Sequence, residues 1–191
     1  KVYDGSGYGE YSFNEISEDR VEEIIAKVRG DLIPMSGHLP EGVERSVYAM
    51  LEDEPLVFAD STEYEIDPAE YGDERIIQEL TRISETGRAY DERILDCGAF
   101  LNYQKYSKLF LSRNRDMEQN VLWTAGGFSV MASRGQEIKR SYKGFSNLGG
   151  AELLERMRDG VRDAAKVTLE LLESEPITPG EYDCICTPEA T

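Results

Sequence analysis

The chain is short of the residues that build metal sites and crosslinks. Its 191 residues include one histidine, His38, and three cysteines. A zinc site takes about three protein ligands, so a single imidazole does not found one. His38 lies between Asp31 and Gly42, a stretch with two prolines and two glycines, and reads as a solvated loop residue. An odd number of cysteines rules out a fully paired disulfide framework and fits reduced thiols in the cytosol. Positive charge is also scarce. Against 38 Asp and Glu stand 21 Lys and Arg, a net charge of −17, which argues against binding a phosphate backbone. Arg113, Arg115, Arg134, Lys139, Arg140 and Lys143 lie close in sequence, but the pattern is that of a solvated sheet face. No apolar run approaches the length of a membrane-spanning helix, and the first residues do not have the pattern of a signal peptide. No nucleic-acid or membrane partner is therefore expected.

A hydrophobic content of 40% with 31% charged residues suits a globular protein of one or two domains. The strongest patterning runs from Arg93 to Glu173. Arg93–Gln104 alternates, with Leu95, Cys97, Ala99, Leu101 and Tyr103 on one face. Tyr106–Arg113 follows, then a turn cluster over Arg113–Asp116. Met117–Thr124 reads as a third strand, with Val121 and Trp123 on one side. Gly126-Gly127 breaks it, and Phe128, Val130 and Ala132 alternate in a fourth. A hairpin turn over Ser133–Gln136 returns Glu137–Phe145 as the fifth. Short loops join antiparallel neighbours, so the expectation is an antiparallel β-meander over 93–146.

Such a sheet needs a cover. From Ala151, residues Leu153, Leu154, Met157, Val161, Ala164, Ala165, Thr168 and Leu172 follow helical spacing, and Glu175-Pro176 ends the run. The expected fold class is α+β, the meander being covered by this long helix.

The flanking segments are plainer. Lys1-Val2-Tyr3 reads as the tail of a strand. Gly5, Gly7 and Gly9 form a Gly-x-Gly-x-Gly loop, but no helix opens on its last glycine, so it reads as a flexible turn. Residues 17–29 read as a helix with Ser17 as N-cap, Val21, Ile24, Ile25 and Val28 as its stripe and Gly30 as C-cap. Over 43–59, Val47, Met50 and Leu51 suit a short helix and Leu56–Ala59 a short strand. Asp60–Gly72 is acidic. Its carboxylates Asp60, Glu63, Glu65, Asp67 and Glu70 lack the ligand order of a calcium loop, and the stretch reads as a linker. Asp73 is expected to cap the next helix, with Ile76, Ile77, Leu80 and Ile83 as its stripe and Gly87 as its stop. After the long helix, Pro179-Gly180 turns into a strand over Glu181–Cys186. There Cys184 and Cys186 share a face and pack, being too close for a Cys-x-x-Cys zinc pair. Tyr11-Ser12 ahead of the first helix and Phe145-Ser146 ahead of the long one make a partial repeat of a strand-loop-helix unit.

This order of parts resembles the TldD/PmbA family, the modulators of DNA gyrase. The likeness is carried by a helix leading into Glu92-Arg93-Ile94, by Leu109–Gln119 as paired strands, and by Tyr142–Ser146 with Leu148-Gly149-Gly150 leading into a long helix. Most specific are Pro179-Gly180-Glu181-Tyr182-Asp183 and then Thr187-Pro188-Glu189-Ala190-Thr191. Residues 73–191 carry it well, 1–30 loosely and 31–72 poorly. In TldD-type members such a strand and turn run into a helix bearing His-Glu-x-x-x-His. The resemblance implies a cytoplasmic zinc metallopeptidase acting on unfolded or extended peptides within a homo- or hetero-oligomer.

None of the motif's residues is found here, so no catalytic, metal or substrate-binding residue is carried onto any position. The zinc would belong to a parent protein. The expected division is a remnant of an N-terminal α/β domain (1–60), an acidic linker (61–72), a central α+β domain (73–175) and the first strand of a truncated catalytic domain (176–191). The alternative implied by the same family is a non-catalytic partner subunit. The Pro188-Glu189-Ala190 turn favours the catalytic type. A plain binding module unrelated to proteolysis is the third reading.

Overall fold

The computed structural model describes residues 1–3, 8–15, 17–32 and 54–186. Residues 5, 7, 38, 43–53 and 187–191, on which several of these expectations fall, lie outside the described residues. The chain divides into two compact units, Lys1–Glu54 and Pro55–Thr191.

In the first unit, β1 (Val2–Tyr3) pairs antiparallel with β2 (Tyr8–Gly9). A 3-10 turn over Glu18–Arg20 leads into α1 (Val21–Leu32). Ser17 makes no side-chain cap; its carbonyl accepts from the Arg20 amide at 3.1 Å instead. Gly30 lies inside α1 rather than ending it. The stripe Val21, Ile24, Ile25 and Val28 is at most half-buried. Tyr11 and Ser12 lie outside any strand, so they are not the structural counterpart of Phe145 and Ser146, and the expected repeat is not reproduced.

The second unit is α+β. Its elements are β3 (Leu56–Ser61), α2 (Pro68–Tyr71), α3 (Asp73–Arg88), β4 (Ile94–Leu111), β5 (Arg115–Arg134), β6 (Glu137–Leu148) and α4 (Leu153–Glu173). β5 is central. β4 runs antiparallel along one side of it, from Ile94↔Ala132 to Leu111↔Asp116. The other side is shared end to end by β6, antiparallel over Trp123–Arg134, and β3, parallel over Arg115–Asn120. The meander is therefore present, but as three long strands instead of five short ones.

Gly126 and Gly127 do not break β5, because both keep partners on each side, Leu101 and Phe145 for Gly126, Phe100 and Gly144 for Gly127. They mark close approach instead of a turn. A Cβ on Gly126 would lie 2.6 Å from Met157 Sδ on α4, and one on Gly127 would lie 2.8 Å from the Lys143 carbonyl oxygen. The turn at Gly135-Gln136 is a true hairpin turn, with Gly135 at φ 63°.

α3 and α4 cover one face of the sheet. All eight residues of the expected α4 stripe are buried. Six of them, Leu154, Met157, Val161, Ala164, Ala165 and Leu172, meet Phe128, Val130 and Ala132 of β5 and Cys97 of β4 in one core. Filling each such position contributes roughly 1.5–3 kcal/mol for a large apolar side chain, which outweighs any surface ion pair here. Leu95 does not join this face. A register shift between Ile94 and Asp96 turns Ile94 inward and leaves Leu95 exposed. Tyr103 shares the inward parity but is 40% exposed, because β4 there runs past the helices.

The acidic stretch expected as a linker is structured. It holds the end of β3 and all of α2, whose N-cap Asp67 accepts from the Ala69 amide at 2.9 Å. The Ile66 amide donates to Glu152 at 3.2 Å, and its carbonyl accepts from the Ala151 amide at 2.9 Å. α3 starts from Gly72, at φ 90°, with Asp73 in its first turn rather than at the cap. Gly87 does not stop α3. It is buried inside it, where a Cβ would lie 2.5 Å from Cys97 Sγ.

Beyond α4 the expected strand over Glu181–Cys186 is absent. These residues carry no strand pairing and all are exposed, Ile185 at 94%. Alternation alone does not make a strand where no neighbour offers hydrogen bonds and no surface covers one face.

Candidate functional site

The residues singled out by sequence are not gathered into a site. Asp67 is an N-cap that also accepts from Lys105 Nζ at 2.7 Å, which holds its carboxyl below the usual range. Among the described residues no group of three His, Cys, Asp or Glu stands together as metal ligands. Cys184 and Cys186 are exposed rather than packed. The basic cluster is split. Arg134 pairs with Glu173 and Glu137, Lys139 pairs with Glu137, and Arg140 donates to Ser129 on the opposite face of the sheet.

Cys97 borders a cleft of about 530 Å³ between α3 and the edge strand β4, lined also by Leu80, Ser84 and Arg88 and reached at the strand's edge by Asp96, which alternates to the other face. The thiol itself is buried, and burial, with the neighbouring Asp96 carboxylate, pushes it up to about 11. It stays protonated at neutral pH and is no nucleophile there.

The surface with the chemistry of a binding site is the face of the sheet turned away from α3 and α4. Period two places residues that pair across strands on one face. Five rows follow from the register: Asp96–Met131–Arg140, Gly98–Ser129–Tyr142, Phe100–Gly127–Gly144, Asn102–Ala125–Ser146 and Gln104–Trp123–Leu148. Phe100, Trp123, Tyr142 and Leu148 are 41%, 38%, 63% and 66% exposed. Between Phe100 and Tyr142 lies a shallow depression of about 340 Å³ floored by Ala125 and Gly144. Phe100 and Tyr142 lean over Gly127, where a Cβ would meet both. Trp123 Nε1 donates to Ser146 Oγ at 2.9 Å, which fixes the indole against β6.

The charge of this face sets it apart. Along all four strands it carries Lys108, Arg115 and Arg140 against Asp60 and Asp96, a balance of one positive charge in a chain of −17. No glutamate lies on it. No protein-family model and no curated protein matches this chain. The face is a flat, amphipathic, nearly neutral surface that suits binding a flat or extended partner.

Reading the sequence for the core obscured this face. Its signal in β4 was weaker: Phe100, Tyr106 and Phe110 share the even positions with Asn102, Gln104 and Lys108. Their row-mates, Gly144 of β6 beside Phe100 and Phe58 of β3 beside Phe110, become visible only from the register.

Proposed function

We propose that this chain is a scaffold part of a TldD/PmbA-like zinc metallopeptidase of the cytoplasm, acting on unfolded or extended peptides. Its own role there is to present a binding surface. What supports the reading is the order of its parts: a helix, a long hairpin, a Gly-Gly lead into a second helix, and then an exposed segment bearing Pro179-Gly180-Glu181-Tyr182-Asp183. Among the described residues no helix is long and apolar enough to cross a membrane, which is compatible with that setting.

The residues present do not fit a catalytic zinc. The one histidine lies outside the described residues, and among the described residues no three ligands converge. No step of hydrolysis is therefore assigned to any residue of this chain. The second reading, implied by the same resemblance, is the non-catalytic partner subunit of such an enzyme.

The test compares the 191-residue chain with the product of the complete reading frame that contains it. Zinc is measured by elemental analysis, and hydrolysis with fluorescently labelled casein. The first reading expects zinc and chelator-sensitive cleavage from the complete product and neither from the chain. Cleavage that appears only on adding a separate zinc-bearing subunit supports the second. A complete product with neither zinc nor such a partner sinks both.

A further inference from the structure

We infer that the open face of the sheet is a self-association surface, on which a second copy of this chain packs sheet on sheet about a two-fold axis running along β5. Three observations carry this independently of the peptidase reading. The first is charge. Two chains of −17 repel over most of their surfaces, whereas this face has a balance of one positive charge, so copies approach here at least cost.

The second is the pairing the axis creates. Aligned sheets stack about 10 Å apart with strands within about 30° of one another. A two-fold along β5 keeps each row over its own counterpart and reverses it. Asp96 of one copy then faces Arg140 of the other, and Gly98 faces Tyr142. Neither Asp96 nor Arg140 makes an ion pair within its own chain among the described residues. A Cβ at Gly98 would meet nothing within 4 Å, so there is open space opposite the partner's exposed Tyr142, whose ring lies over Gly127 and Gly144 of its own sheet. Trp123 lies on the axis and meets its own copy. An axis across the strands would instead carry the Asp96 end over the Gln104 end and lose the charge match.

The third is size. The twelve residues of β6 at about 3.3 Å each, across three strands about 4.8 Å apart, span roughly 600 Å² per copy. That clears the ~1,000 Å² total expected of a specific interface.

Sedimentation velocity of the 191-residue chain from 1 to 100 µM, in 0.15 M salt, tests the inference. The native chain is expected to sediment as a monomer–dimer equilibrium. Asp96→Arg and Arg140→Asp are each expected to weaken it at least tenfold, because a two-fold interface contains each pair twice. The double variant, in which the charges are exchanged, is expected to return to within about threefold. General repulsion predicts a different result for Asp96→Arg, which makes the chain less acidic and would then tighten association. Circular dichroism of each variant checks that it is folded. Leu148→Lys, at the far end of the face, is a second disruptor. A native chain that stays monomeric throughout, including one that binds an extended peptide on this face as a monomer, overturns the inference. So does a dimer indifferent to both single variants, or a double variant that does not recover.

Discussion

Asp67 and Lys105 are 38 positions apart in sequence and 2.7 Å apart in space. The pair ties the segment leading to α3 against β4, and Tyr64 stacks near the same ammonium, 5.7 Å from ring centre to Nζ. Asp67 has two roles, since it also caps α2. Asp67→Ala is therefore expected to lower the melting temperature more than Lys105→Ala, which removes the pair and the exposed Tyr64 contact but leaves the cap. Equal losses in paired thermal melts would mean the cap contributes nothing.

Glycines at two positions should respond in opposite ways. Gly87→Ala forces a methyl to within 2.5 Å of Cys97 Sγ and 3.0 Å of Val161 Cγ2, both in the core. The expected loss is about 1–3 kcal/mol, only partly offset by the better helix propensity of alanine. Gly98→Ala meets open space within its own chain, and in the monomer should be neutral or stabilising by up to ~1 kcal/mol. Urea midpoints for the two variants check the contrast, and a neutral Gly87→Ala would refute the tight packing of α3 on β4.

Thiol reactivity should separate the cysteines cleanly. Cys184 and Cys186 are exposed, while Cys97 is buried and held protonated with its pKa near 11. At pH 7.5 a chromogenic disulfide reagent should titrate two thiols fast and the third only after unfolding. Three fast thiols in the native protein would show that the core around Cys97 opens readily.

Acid should weaken the second unit through Asp91. The hydrogen bonds it accepts from the Arg93 guanidinium, and then from the Arg93 amide, hold its carboxyl at about 2, down from 3.8. A depressed pKa stabilises the folded state above the unfolded value and ceases to do so as pH falls through the folded one. The contribution is thus present above pH ~4 and lost toward pH ~2. Asp91→Asn should show a shallower fall in melting temperature across that window than the native chain. Parallel pH profiles would mean Asp91 is not coupled to folding.

DNA binding should be negligible. With a charge of −17, its basic residues split between two faces, and Arg134 and Lys139 paired to glutamates, the chain offers no groove-reading element among the described residues. A mobility shift at physiological salt with sub-micromolar affinity would contradict this.

What the sequence determined by itself is what local periodicity encodes. The α4 stripe from Leu153 to Leu172 is buried residue for residue, because a 3.6-residue repeat leaves only one face to cover. The antiparallel order of β4, β5 and β6 and the turn at Gly135 were legible for the same reason, being set by short loops and alternation. Only the tertiary structure decided the rest. Whether Gly126-Gly127 breaks a strand or makes room for Met157 depends on what packs above it. The parallel pairing of β3 with β5, more than fifty residues downstream (Leu56↔Arg115), is fixed by partners remote in sequence, and so is the anchoring of Ile66 by Glu152. Glu181–Cys186 alternates as a strand should and forms none, since a strand exists only where another backbone takes up its hydrogen bonds. The open face belongs to the same class: its residues are spread over four strands, and the register alone brings Asp96, Met131 and Arg140 into one row.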